Sequence, residues 1–195
     1  MRTNTPKLPT TLTQALTAAE DTLTAAYHLK LADLLSSTAT DAERVQLLAE
    51  FGGIAAAGSE LDSIIAPLGG LRDLCRKKKP TASTYELVRY LLDTEAAPLS
   101  AITTDVLNHL SYLAAVVAED RAAYQYKPDE AFPKRNRDLH PRKLTVGETN
   151  QAIADARERA TAAKTLLAGL PAILTRVREL AEAGNDLTPA AAWLK

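Results

Sequence analysis

An all-α fold, a bundle of five or six helices, follows from three observations. Alanine and leucine dominate the chain while glycine is scarce, 8 in 195 residues, and these two residue types head the helix-propensity ranking. Apolar residues recur at three- and four-residue spacing in segment after segment. The segments are punctuated by cap residues and prolines, and no strand-like alternation, heptad run or internal repeat interrupts them.

Taken in order, residues 1–9 hold Pro6 and Pro9 and read as a loose lead-in. Thr10 or Thr11 caps a first helix running to about Ser36, with Leu12, Leu16, Ala19, Leu23, Ala26, Leu31, Leu34 and Leu35 as its apolar stripe. Thr40 and Glu43 stand at capping-box spacing and open a second helix, whose apolar face continues through Val45, Leu48, Phe51, Ile54 and Ala55. Gly52, Gly53 and Gly58 are placed to bend that helix or admit a close neighbour, and Pro67, Gly69 and Gly70 are expected to end it. A connector then spans residues 71–81. Ser83 opens a third helix with Leu87, Val88, Leu91 and Leu92 inside, and Pro98 stops it. A fourth runs from Ser100 through Leu107, Leu110, Leu113 and Val117 to Tyr124.

Pro128, Pro133 and Pro141 bar any long helix from the 126–144 connector. A fifth helix covers about Val146 to Ala168 and closes at Gly169. Pro171 suits the first turn of a sixth, which reaches Ala183 with Gly184 at its C-cap. Residues 185–195 read as an apolar tail. The whole forms one domain, since 195 residues suffice for a single sound core.

Charge and cysteine usage narrow the function. A formal net charge of −1 gives no general attraction to nucleic acid, so any such binding must come from local patches. The single Cys75 rules out an internal disulfide, makes a thiolate zinc site implausible and fits a reducing cytoplasm. Basic residues near Met1 lead into no apolar run, so no secretory signal is expected, and the uncharged run of residues 112–118 is too short to span a bilayer. His109, with Asp105 one turn before it, offers at most half a metal site; His28, behind Tyr27, has the same standing. Both read as histidines satisfied by neighbours. No phosphate-binding glycine loop and no serine-nucleophile elbow occurs, and no metal or other cofactor is expected.

The most distinctive stretch is residues 134–143, with five Lys/Arg (Lys134, Arg135, Arg137, Arg142, Lys143) against the single acid Asp138. Within it stand Arg135, Asn136 and, five positions after the arginine, His140. A guanidinium forks onto phosphate, and an imidazole both takes and gives a proton near neutrality. Cleavage of a phosphodiester by its own 2′-hydroxyl needs both. The plain alternative is a solvated loop, although a nineteen-residue connector is longer than a bundle requires. Arg76, Lys77, Lys78 and Lys79 form a second basic patch, which is either a solvated turn or an extension of a backbone-tracking groove. Tyr126, with Tyr124 before it, could stack on unpaired bases or close a helix end.

Arg135, Asn136, His140 and the Pro141 that follows resemble the signature of the HEPN superfamily of all-helical domains, an arginine separated from a histidine by four to six residues. Thr145 to Glu148, leading into the fifth helix, also resembles the helix that follows in that family, and the resemblance covers roughly residues 100–170. It implies a HEPN-like C-terminal half and a metal-independent endoribonuclease, a toxin or defence effector acting on single-stranded RNA as a homodimer. By that analogy His140 acts as general acid or base, Arg135 stabilises the phosphorane and Asn136 orients the phosphate. The prolines depart from the pattern, because they set the motif in a turn instead of at a helix start. Two other readings stand beside this one: a non-catalytic helical module that binds a protein partner, and a nucleic-acid binder without cleavage.

Overall fold

The computed structural model describes residues 8–35, 40–94, 105–124 and 145–195, with only the backbone of residues 105–108 and 121–124. Among them are six helices of thirteen or more residues and a short seventh, with no strand: α1 Leu12–Leu35, α2 Asp41–Cys75, α3 Ala82–Thr94, α4 Asp105–Tyr124, α5 Val146–Ala168, α6 Leu170–Glu182 and α7 Thr188–Trp193. The all-α bundle expected from the sequence is therefore what the chain forms.

α1 and α2 make an antiparallel pair. Arg72 donates to the Thr13 hydroxyl at 3.2 Å near one end, while Lys30 meets Glu50 near the other. The capping box of α2 is complete: the Thr40 hydroxyl accepts from the Glu43 N–H, and the Glu43 carboxylate accepts from the Thr40 N–H at 2.7 Å. α5 opens with the same device on Thr145 and Glu148.

α2 does not end at Pro67, as expected, but runs through it to Cys75. Proline removes one ladder hydrogen bond from a helix interior. Against that local cost, Leu61, Ile64, Leu68, Leu71 and Cys75 continue one buried stripe on both sides of Pro67. Tertiary burial carries the helix past the breaker. The following glycine, Gly70, brings α2 close to α3, where a Cβ would stand 3.9 Å from a Leu91 methyl. The connector shrinks to residues 76–81.

α3 starts at Ala82 instead of Ser83; the Thr81 N–H donates to the Thr84 hydroxyl at 3.1 Å, which accounts for a buried threonine. α3 and α6 lie antiparallel, tied by Tyr85 to the Gly184 and Asn185 carbonyls and by Arg178 to Asp93 and the Leu92 carbonyl. α4 is described from Asp105, and the start expected at Ser100 lies outside the described residues. It packs along α5, where the Ser111 and Thr161 hydroxyls meet at 3.1 Å.

The expected tail is instead part of the body. Leu187, Ala190 and Leu194 are buried, α7 packs on α2, and the Thr13 N–H donates to the Lys195 carbonyl at 2.8 Å. Leu187, Ala190 and Leu194 recur at helical spacing, and Arg176 lies over the Trp193 ring at 5.1 Å. A short helix with one apolar face is stable here because that face is covered.

Candidate functional site

Most residues singled out for chemistry, Lys134, Arg135, Asn136, Arg137, His140, Arg142, Lys143 and Tyr126, lie outside the described residues. The structure defines their anchors: the segment carrying them leaves α4 at Tyr124 and rejoins at Thr145, the N-cap of α5.

Arg76, Lys77, Lys78 and Lys79 are described and exposed in the turn after α2. Arg76 is the C-cap residue of α2 and reaches back to Asp73 at 3.4 Å. Cations at this position complement the negative end of the helix dipole, which gives the cluster a structural role in its own right.

Among the described residues is a cleft of about 320 Å³. α1 packs on both α2 and α4, and the cleft is lined from all three. Leu23 and Lys30 come from α1; Glu50, Gly53, Ile54 and Ala57 from α2; His109, Tyr112 and Leu113 from α4. Small side chains at Gly53 and Ala57 leave the space open, and a Cβ added at Gly53 would meet nothing within 4 Å. Leu23, Ile54, Ala57 and Leu113 are buried and supply its apolar surface, whereas Lys30, Glu50, His109 and Tyr112 bring polar atoms.

Lys30 and Glu50 are joined by a 2.7 Å ion pair. The hydrogen bond from Lys30 holds the Glu50 carboxyl below its ordinary range, and the same bond raises the Lys30 ammonium against an opposing push from partial burial. Gln46 donates to the other Glu50 oxygen at 3.2 Å. Both ends of the pair are therefore charged at neutral pH. His109 is an exposed residue of the cleft wall. No group of three or more His, Cys, Asp or Glu suited to a metal occurs among the described residues.

Sequence reasoning did not single out Lys30, Glu50 or Tyr112. A signal existed for two of them: Lys30 falls seven residues after buried Leu23, and Glu50 four before buried Ile54, each a charge set on an apolar stripe. Cys75, by contrast, is enclosed, and burial pushes its thiol up to about 11.

By fold this chain belongs to the class of all-α helical bundles, and no helix among the described residues is long and apolar enough to cross a membrane. Comparison with protein-family models, curated proteins and solved structures finds no match.

Proposed function

We propose that this chain is a non-catalytic helical interaction module, and that the α1–α2 hairpin docks a protein partner near Leu35, Val45 and Leu48. One observation carries this reading. Burial on α1 stops at Ala26 and on α2 begins only at Ile54. Between these limits three residues of the apolar stripes expected to be internal are in solvent, Leu35 at 74%, Val45 at 69% and Leu48 at 53% exposed, while Leu31, Leu34 and Phe51 are half-buried. Large apolar residues gathered outside a core mark interaction surfaces more often than isolated ones do. The charges over the same stretch are Asp33, Asp41, Glu43 and Glu50 against Lys30 and Arg44, four acids to two bases. The fitting partner is an amphipathic helix whose apolar face is flanked by lysine or arginine.

The test uses a helical peptide with a leucine stripe flanked by lysines and its counterpart flanked by glutamates. The lysine form should bind in a fluorescence-anisotropy titration, the glutamate form should not, and combined Leu35→Ser, Val45→Ser and Leu48→Ser changes should remove binding. Retained binding in that variant overturns the reading.

A second reading is favoured by the basic segment joining α4 to α5 in an all-helical chain: a metal-independent endoribonuclease, a toxin or defence effector working as a homodimer. His140 serves as general acid or base, Arg135 stabilises the phosphorane and Asn136 holds the phosphate. Such an enzyme cuts single-stranded RNA in EDTA, leaves 2′,3′-cyclic phosphate ends and spares DNA. His140→Ala should then slow cleavage by about 10²–10⁴-fold. Binding that falls steeply with salt, without strand scission, would instead indicate a nucleic-acid binder using Arg76, Lys77, Lys78, Lys79 and the 134–143 segment.

A further inference from the structure

The geometry points to the α1–α2–α4 cleft as a binding site for a small amphiphile: a fused two-ring aromatic body carrying one neutral, hydrogen-bonding head. Lys30 and Glu50 also border the proposed docking surface, but the assignment does not rest on Leu35, Val45 or Leu48.

Size and lining point to a small molecule. The cleft offers about 320 Å³. That volume lies at the lower end of small-molecule sites, which run from about 300 to 1,000 Å³ and combine apolar walls with a few polar groups. An apolar cavity of about 150 Å³ suffices for one benzene, so this cleft suits roughly two fused rings.

Charge decides the head group. Lys30 and Glu50 face each other at 2.7 Å, each the other's counter-ion. A carboxylate or ammonium ligand would have to displace one partner from that pair, leaving it without its compensation. A hydroxyl or amide need not. An ammonium carries three donors and a carboxylate several acceptor sites, so a neutral head can hydrogen-bond to the intact pair. Leu23, Ile54, Ala57 and Leu113 cover the body of the molecule.

The experiment is equilibrium dialysis of the full chain against 2-naphthol, with 2-naphthoate and naphthalene as companions. 2-Naphthol should bind saturably, one per chain, and about tenfold or more tighter than either companion. Gly53→Leu, which adds its side chain into open cleft at a helical position, should abolish binding while circular dichroism and the melting temperature show an intact fold. Glu50→Gln should reverse the order and favour 2-naphthoate, since Lys30 then loses the carboxylate bonded to it. The Leu35→Ser, Val45→Ser, Leu48→Ser chain should bind 2-naphthol unchanged, which separates this site from the docking surface. No saturable binding below the solubility limit, binding retained by Gly53→Leu, or an unreversed order in Glu50→Gln each overturns the assignment.

Discussion

Lys30 and Glu50 meet at 2.7 Å beyond the last buried residue of α1 and before the first of α2, so an ion pair fastens the hairpin where the core no longer does. Tyr27 and Phe51, with ring centroids 4.5 Å apart, are the adjoining contact.

The pair makes the hairpin end sensitive to pH in a defined direction. The Glu50 carboxyl is lowered in the fold, so its contribution is present above the unfolded value and lost as pH falls through the folded one. The Lys30 ammonium is raised, so its contribution is present below its unfolded value and lost as pH rises through the folded one. A double-mutant cycle of Lys30→Met and Glu50→Gln should show coupling of about 0.2–1 kcal/mol at pH 7, limited by solvent screening of the exposed carboxylate. The coupling should be lost as pH falls through the lowered Glu50 value, and again as pH rises through the raised Lys30 value. A coupling that stays the same across the whole acid and alkaline range would contradict this assignment.

The two kinds of apolar position on α2 should respond very differently to truncation. Ile64 is 1% exposed within the core, and Ile64→Ala should cost about 2–5 kcal/mol. Leu48→Ala should cost far less, about 0.5 kcal/mol, because that side chain is 53% exposed. Urea unfolding of both variants measures the contrast, and a large loss at Leu48 would mean that the hairpin end is already covered in solution.

What the sequence made legible, and what it hid, divides along that contrast. Helical spacing located α5 to the residue, and the same spacing identified Leu12, Leu16, Ala19, Leu23 and Ala26 as core. It also marked Leu35, Val45, Leu48 and Leu87 as internal, and all four are exposed. Periodicity reports which face of a helix is apolar; whether another element covers that face is a tertiary matter. Pro67 failed as a stop signal for the same reason, since the burial of Ile64, Leu68 and Leu71 outweighs one missing hydrogen bond. The cleft was hidden because its residues come from three helices, and no spacing along one chain segment encodes that meeting.

Gly184 has φ +65°, the sole positive φ among the described residues, and terminates α6 through Asn185 N–H donating to the Leu180 carbonyl. A side chain at this left-handed position is strained, so Gly184→Ala should lower stability by about 1 kcal/mol. The loss should be traceable to conformation instead of crowding, since a Cβ there meets no atom within 4 Å. Gly184→Asn, which tolerates the left-handed region better, should recover part of it. Thermal melts of the two variants give the order, and equal stability of Ala and wild type would refute it.

Cys75 closes the set, because its reactivity reports on opening of the core. It is 0% exposed at the C-terminal end of α2, and desolvation raises its thiol to about 11. The thiolate is the nucleophile, so a native chain at pH 8 presents both a barred approach and very little reactive form. Labelling with Ellman's reagent should therefore be slow in buffer and fast in urea, with a rate that follows the unfolded fraction across the transition. Because stability depends on α7 packing over α2, Leu187→Ala should accelerate native-state labelling, whereas Leu48→Ala should not. Rapid labelling of the wild-type chain in buffer would show that this end of α2 opens without global unfolding.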